Sequence, residues 1–330
     1  MKERSIETLR GIAIILMVAG HVVGHNSTAG MNVADDSEYR YFYYTLQYLR
    51  IPLFTVISGY VYSLRPYLAA TSILNFFNGK ARRLLIPMIS VSTMQYLLRV
   101  CVPGINNTAD LENIWRIYFF GFDQFWFLQS IYLVFITVAF LEYFKLLGTF
   151  KLWAIMLLIS SCIRVFMPSI PMNNFSINGY FQLLPFFILG CGIRRYSPQI
   201  FRKPYLVIYF IVFIYSFCLQ QIQWFKPFIH DELTMKALAF IVGISGISLL
   251  FKYRFDNPIL AKIGFYAFSI YLFHVFGTVG SRLLLGIALP EVSQLIVFST
   301  CLVFGLGVPL IIEFILKKNR YTKQIFIGVK

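Results

Sequence analysis

Acidic side chains are scarce in this chain: 14 Asp and Glu stand against 29 Lys and Arg in 330 residues, and charged residues make up only 13% of the whole. A soluble domain carries about 25% charged residues, so the composition excludes an ordinary water-soluble globule. Cysteine is limited to Cys101, Cys162, Cys191, Cys218 and Cys301, with no paired spacing. That excludes a disulfide framework or a cysteine metal cluster and leaves packing thiols. Histidine occurs four times. His21 and His25 have a spacing compatible with a metal, but zinc needs three or four protein ligands and nothing nearby supplies a third, so no metal is expected. There is no glycine-rich phosphate loop and no Gly-x-Ser-x-Gly turn, which removes two common nucleotide-binding and hydrolase classes. The net charge of +15 would suit nucleic acid, but the basic residues are spread among short segments between apolar runs, so no nucleic-acid partner is expected.

What is abundant is apolar and aromatic. Hydrophobic residues reach 58%, with 35 Phe and 21 Tyr, and mean hydropathy is +0.70. Aromatic rings on this scale fit the interfacial belts of membrane helices. Runs long enough to cross about 30 Å of hydrocarbon recur ten times, over 6–24, 45–64, 84–101, 125–144, 151–167, 178–193, 204–220, 233–250, 262–285 and 289–316. With the N-terminus inside, twenty of the 29 basic residues fall in inner segments and eight in outer ones, the bias expected of a cytoplasmic face. The expectation is an all-α polytopic protein of about ten transmembrane helices in the inner plasma membrane, with both termini cytoplasmic. The first run resembles a signal peptide, but the charge bias requires it as the first, uncleaved span. Residues 1–330 read as one transmembrane domain with no appended soluble domain. The two longest outer loops, near 25–44 and 102–124, hold acidic and aromatic residues; the first ends in Glu38-Tyr-Arg-Tyr-Phe-Tyr-Tyr44, an interfacial belt or a sugar-stacking surface.

Two residues in the first run are out of place in lipid. A charge at the centre of a membrane helix costs roughly 2.5–3.5 kcal/mol, yet Arg10 and His21 both lie there. Eleven positions apart, they project from one helix face, about 16 Å from each other along the axis. That spacing puts a fixed cation near one surface and an imidazole deep in the bilayer. The second inner loop ends in Asn78-Gly-Lys-Ala-Arg-Arg-Leu-Leu-Ile-Pro87. Lys80, Arg82 and Arg83 there suit a phosphate-bearing ligand, since guanidinium forks match phosphate oxygens; an ordinary topology signal is the alternative. His274 lies 12 residues beyond Lys262, about 18 Å along a helix, at a depth matching His21, so the two imidazoles could share one cavity.

Together these features resemble the acyltransferase-3 family of integral membrane acyltransferases, which includes O-acetyltransferases of surface glycans. The resemblance rests on Leu9-Arg10-Gly11 followed by His21; on Phe54-Thr-Val-Ile-Ser-Gly-Tyr60; on Lys80-Ala-Arg-Arg-Leu-Leu-Ile-Pro87; on Phe125-Trp-Phe-Leu128; on Phe186-Phe-Ile-Leu-Gly190; and on Ser269-Ile-Tyr-Leu-Phe-His274. It implies an acyl-CoA donor from the cytoplasm, acetyl-CoA foremost, and a glycan or lipid-linked sugar as acceptor on the far side. His21 matches the family's essential histidine, Arg10 its first-helix arginine, and Lys80 and Arg83 its basic pair on the third helix. Arg10, Lys80, Arg82 and Arg83 would then hold the CoA phosphates. His21 would act on the acceptor hydroxyl, as general base or as a briefly acylated group, and Trp126 and His274 would shape the acceptor cavity. The rival reading is a glycan or lipid-linked sugar transporter, which predicts more intramembrane carboxylates or broken helices; the spans here hold few acids.

Overall fold

The computed structural model describes residues 3–66, 72–106 and 108–329. Lys2 and Lys330, counted among the inner basic residues, lie outside the described residues. Thirteen α-helices and no strand occur among the described residues. They are α1 (Arg4–Val23), α2 (Glu38–Tyr62), α3 (Ile73–Cys101), α4 (Arg116–Phe119), α5 (Trp126–Tyr143), α6 (Phe150–Phe166), α7 (Ile177–Ile200), α8 (Lys203–Phe225), α9 (Glu232–Lys252), α10 (Pro258–Phe265), α11 (Ala267–Ala288), α12 (Gln294–Leu316) and α13 (Arg320–Ile327).

Every expected apolar run falls on a helix, and seven helices are long and apolar enough to cross a membrane: α1, α3, α5 with its preceding turn, α8, α9, α11 and α12. The other three runs fall on α2, α6 and α7. Helix α6 has only 17 residues, while α2 carries Glu38, Arg40 and Arg50 and α7 carries Arg194 and Arg195. The ninth run is not one helix. It breaks at Tyr266 (φ −93°, ψ 6°), which ends α10 and starts α11. Asn257 caps α10 by accepting from the Ile259 and Leu260 amides, both at 3.0 Å, and Pro258 supplies the preset first-turn φ.

Two further expectations are corrected. Lys80, Arg82 and Arg83 are not in a loop, because α3 already begins at Ile73 and holds all three in its interior. The run Glu38–Tyr44 is likewise not a loop end but the opening of α2. There Arg40 is buried and donates to the carbonyls of Gly24 and, at 3.2 Å, Val33.

The chain divides into two compact units, Met1–Gln47, Ala81–Phe125 and Asn257–Lys330 in the first, Tyr48–Lys80 and Trp126–Asp256 in the second. In the first, α1 packs against α10, α11 and α12, α11 pairs with α12, and α13 folds back beside α12. Two glycines allow the α1–α10 contact: a Cβ on Gly11 would strike the Leu260 carbonyl, and one on Gly264 would strike the Glu7 carbonyl. Thr8 fastens the same crossing, its hydroxyl donating to the Asn257 carbonyl at 3.2 Å and accepting from the Asn257 amide at 3.1 Å. In the second unit α7 packs on α5 and α6, and α9 on α6 and α8. Gly59 and Gly190 give close packing there, each with its Cα against a backbone carbonyl, of Phe187 and of Val56. Between dry helices, small residues let backbones approach and supply most of the packing contact.

Candidate active site

Helix α1 is unbroken from Arg4 to Val23, so Arg10 and His21 do project from one side, about 20° apart around the axis. Between them on that face lie Ile14 and Met17, both buried. The Arg10 Nη1 donates to both oxygens of Glu7, at 2.9 and 2.7 Å. Glu7 is itself buried, and an i, i+3 ion pair of this kind fixes the guanidinium in one orientation. The bond uses a single nitrogen, which leaves the rest of the fork for another anion. Arg83 is near enough for its positive charge to act on Arg10, and its side chain is exposed. Beside it, Arg82 has a buried Nε with no hydrogen-bond partner among the described residues. The backbone of both arginines is covered by Gly328, in the left-handed region at φ 71° just after α13. Ser90 Oγ anchors that segment by donating to the Ile325 carbonyl at 3.0 Å. One end of the first unit thus carries Arg10, Arg82 and Arg83, with Glu7 bonded to the first of them.

The other end carries the imidazoles. His21 lies in the last turn of α1 and is exposed; the helix stops at Val23, and Gly24 turns the chain at φ 83°. His274 is fully buried on α11. The two ring centroids are 4.9 Å apart, with the planes tilted by 48°. His274 Nδ1 faces the carbonyls of Tyr271 and Ile270, at 2.9 and 3.1 Å. Carbonyls only accept, so Nδ1 holds the proton and Nε2 presents its lone pair. Among the described residues that buried Nε2 has no hydrogen-bond partner.

Sequence reasoning missed the framework around this pair. The loop after His21 is held by cations: Arg40 binds the Gly24 carbonyl, and Arg282, on the same helix as His274, binds the Gly30 carbonyl. Asn106 Nδ2 reaches that same carbonyl at 3.0 Å. One turn before His274, the Tyr271 hydroxyl donates to the Gln124 carbonyl. Gln124 Nε2 donates to Gln95 Oε1 at 3.0 Å, and Gln95 and Arg99 both bind Asp123 Oδ2. Asp123 adopts φ 41°, a cost few residues other than Asn and Asp tolerate. The only signal in the sequence was a lone carboxylate beside aromatic residues, Phe-Asp-Gln-Phe-Trp.

Lys80 and Trp126 belong to the second unit. The Lys80 ammonium lies 3.7 Å from the centre of the Phe135 ring and 5.3 Å from that of Phe76, a cation–π arrangement. Trp126 is half-buried and lies against Gly179, where a Cβ would meet its six-membered ring.

The structure therefore brings together Arg10 with Arg83, and His21 with His274, in one unit. No curated protein and no solved structure matches the chain. A family model does: the acyltransferase domain of the acyltransferase-3 type matches residues 3–314, a stretch that takes in both ends of α1 and the whole of α11. The chain belongs to the acyltransferase-3 family and is a multi-pass membrane acyltransferase.

Proposed function

We propose that this acyltransferase moves a short acyl group, acetyl foremost, from cytoplasmic acyl-CoA to a hydroxyl of a cell-surface glycan or lipid-linked sugar. The observation that supports this most is the placement of a histidine pair and an arginine group at opposite ends of one continuous helix face. Phosphates need fixed cations, and Arg10, Arg82 and Arg83 supply them at the end that the inner basic residues assign to the cytoplasm of the inner plasma membrane. The donor's arm then runs along the α1 face past Ile14 and Met17, the second of which is unbranched and yields readily.

At the far end the acceptor hydroxyl reaches His21, which is exposed. As the hydroxyl oxygen attacks the thioester carbonyl, His21 takes the hydroxyl proton. The tetrahedral intermediate then expels CoA by breaking the C–S bond, and the proton passes from His21 to the departing sulfur. The products are an ester on the sugar and free CoA. General base catalysis of this kind is worth about 10²–10⁴-fold. His274 holds the His21 ring in place by contact. The deciding experiment is mass spectrometry of surface glycans from cells with wild-type protein, with His21→Ala and with none. Loss of an acetyl mass in the last two supports the reading and names donor and acceptor together; acetylation retained in the His21→Ala cells overturns the role of His21.

A further inference from the structure

The second unit holds a cavity that the acyl-transfer reading does not use. It lies where α6 ends and α7 and α9 begin, has a volume of about 340 Å³, and is lined by Arg164, Lys236, Glu232, Ser169, Asn178 and Tyr48 among others. That is the lower end of the size range of ligand pockets.

Its two cations are in different states. Lys236 is committed, its Nζ at 2.9 Å from Glu232 and 3.0 Å from the Met167 carbonyl. Glu232 is also committed, since Ser169 Oγ donates to it at 2.6 Å. Arg164 has one protein acceptor, the Gln182 carbonyl at 3.2 Å, and among the described residues no carboxylate pairs with it. Its Nε is buried with no hydrogen-bond partner among those residues. A snorkelling arginine extends its head away from the apolar body toward water. Arg164 instead lies between two rings, its guanidinium carbon 5.2 Å from the centre of Phe186 and 5.6 Å from that of Phe240. The rings hold the charge in place without neutralising it. The result is a preset, unpaired cation at a cavity wall.

The surroundings point to the source of the missing anion. Arg164 sits in the last turn of α6, the level at which a membrane helix meets headgroups. Below it α6 shows an apolar face, with Ile155, Leu158, Ile159 and Ile163 all exposed, and Ile163 also lines the cavity. A molecule with an acidic head and hydrocarbon tails satisfies both surfaces at once. We propose that this cavity binds the phosphate of an anionic phospholipid, with Arg164 as its anchor and the acyl chains along the exposed face of α6.

The test is native mass spectrometry of the full chain released from detergent, titrated with phosphatidylglycerol, with phosphatidylcholine, or with inorganic phosphate. Wild type retains phosphatidylglycerol in preference to phosphatidylcholine. Arg164→Gln weakens that binding by about tenfold or more, the loss expected for a charge-assisted hydrogen bond, while Lys226→Gln, an exposed cation of the same unit, does not. Glu232→Gln strengthens it by removing the negative charge from the cavity wall. Glu232 is exposed, so this opposite change does not depend on a damaged fold. Equal phosphatidylglycerol binding by wild type and Arg164→Gln overturns the proposal. So does Arg164-dependent binding of inorganic phosphate with no retained lipid, which would make the ligand a soluble anion.

Discussion

His21 and His274 come from near opposite ends of the chain, yet their rings lie 4.9 Å apart. One is exposed at the end of its helix and the other is fully buried. The buried ring is locked by two backbone carbonyls and forms a fixed wall for the accessible one. This asymmetry separates their roles: His21 can meet a substrate, and His274 can set where His21 points.

The two histidines therefore respond differently to substitution. His21→Ala is predicted to lower acyl transfer by about 10²–10⁴-fold without changing donor affinity. His274→Ala is predicted to cost less, with the loss appearing in kcat rather than in donor binding. Transfer assays on purified protein with labelled acetyl-CoA check both.

The Glu7–Arg10 pair makes a stability prediction. Glu7→Ala leaves Arg10 without the carboxylate bonded to it at 2.7 and 2.9 Å and is expected to destabilise the fold by about 1–3 kcal/mol, the cost of stranding a partly buried polar group. Glu7→Gln keeps one acceptor and should lose less. Thermal unfolding in detergent measures both.

Arg83 is exposed while its charge acts on Arg10. Its replacement by Ala should weaken acyl-CoA binding by roughly tenfold, the loss of one charged hydrogen bond. The wild-type affinity should fall with added salt more steeply than that of the variant, because exposed charges are screened. Titration with acetyl-CoA at two ionic strengths checks this.

Gly11 and Gly264 set the α1–α10 crossing, and neither has room for a Cβ. Gly11→Ala or Gly264→Ala should push the helices apart at a cost of about 1–3 kcal/mol and lower transfer by shifting Arg10. Gly280→Ala, inside α11 where nothing lies within 4 Å of the added carbon, should lower neither stability nor transfer. Unfolding temperatures of the three variants give the comparison.

How much of this was legible in the sequence follows from the range of each signal. Apolar runs are local, and each of the ten falls on helix, 262–285 on two of them. The pairing of His21 with His274 was legible as matching distance along two helices running the same way, and the rings do meet. The break at Tyr266 was missed under a continuous apolar run, even though Asn257-Pro258 marks a new helix start. Placing the basic cluster in a loop failed because Lys and Arg are good helix formers and α3 simply extends through them. Glu7 was three residues from Arg10, a readable spacing that its position near a helix end disguised. Arg164 counted only as an outer charge, since nothing local shows that Phe186 and Phe240 close around it.

The most direct test of the central claim pairs two readings on one variant: acetyl-CoA binding and acetyl transfer to the acceptor glycan by purified His21→Ala in lipid nanodiscs. If arginines grip the donor at one end of α1 and histidine completes the transfer at the other, the variant binds acetyl-CoA like wild type and transfers acetyl at least about 10²-fold more slowly. Wild-type transfer by this variant would contradict the account.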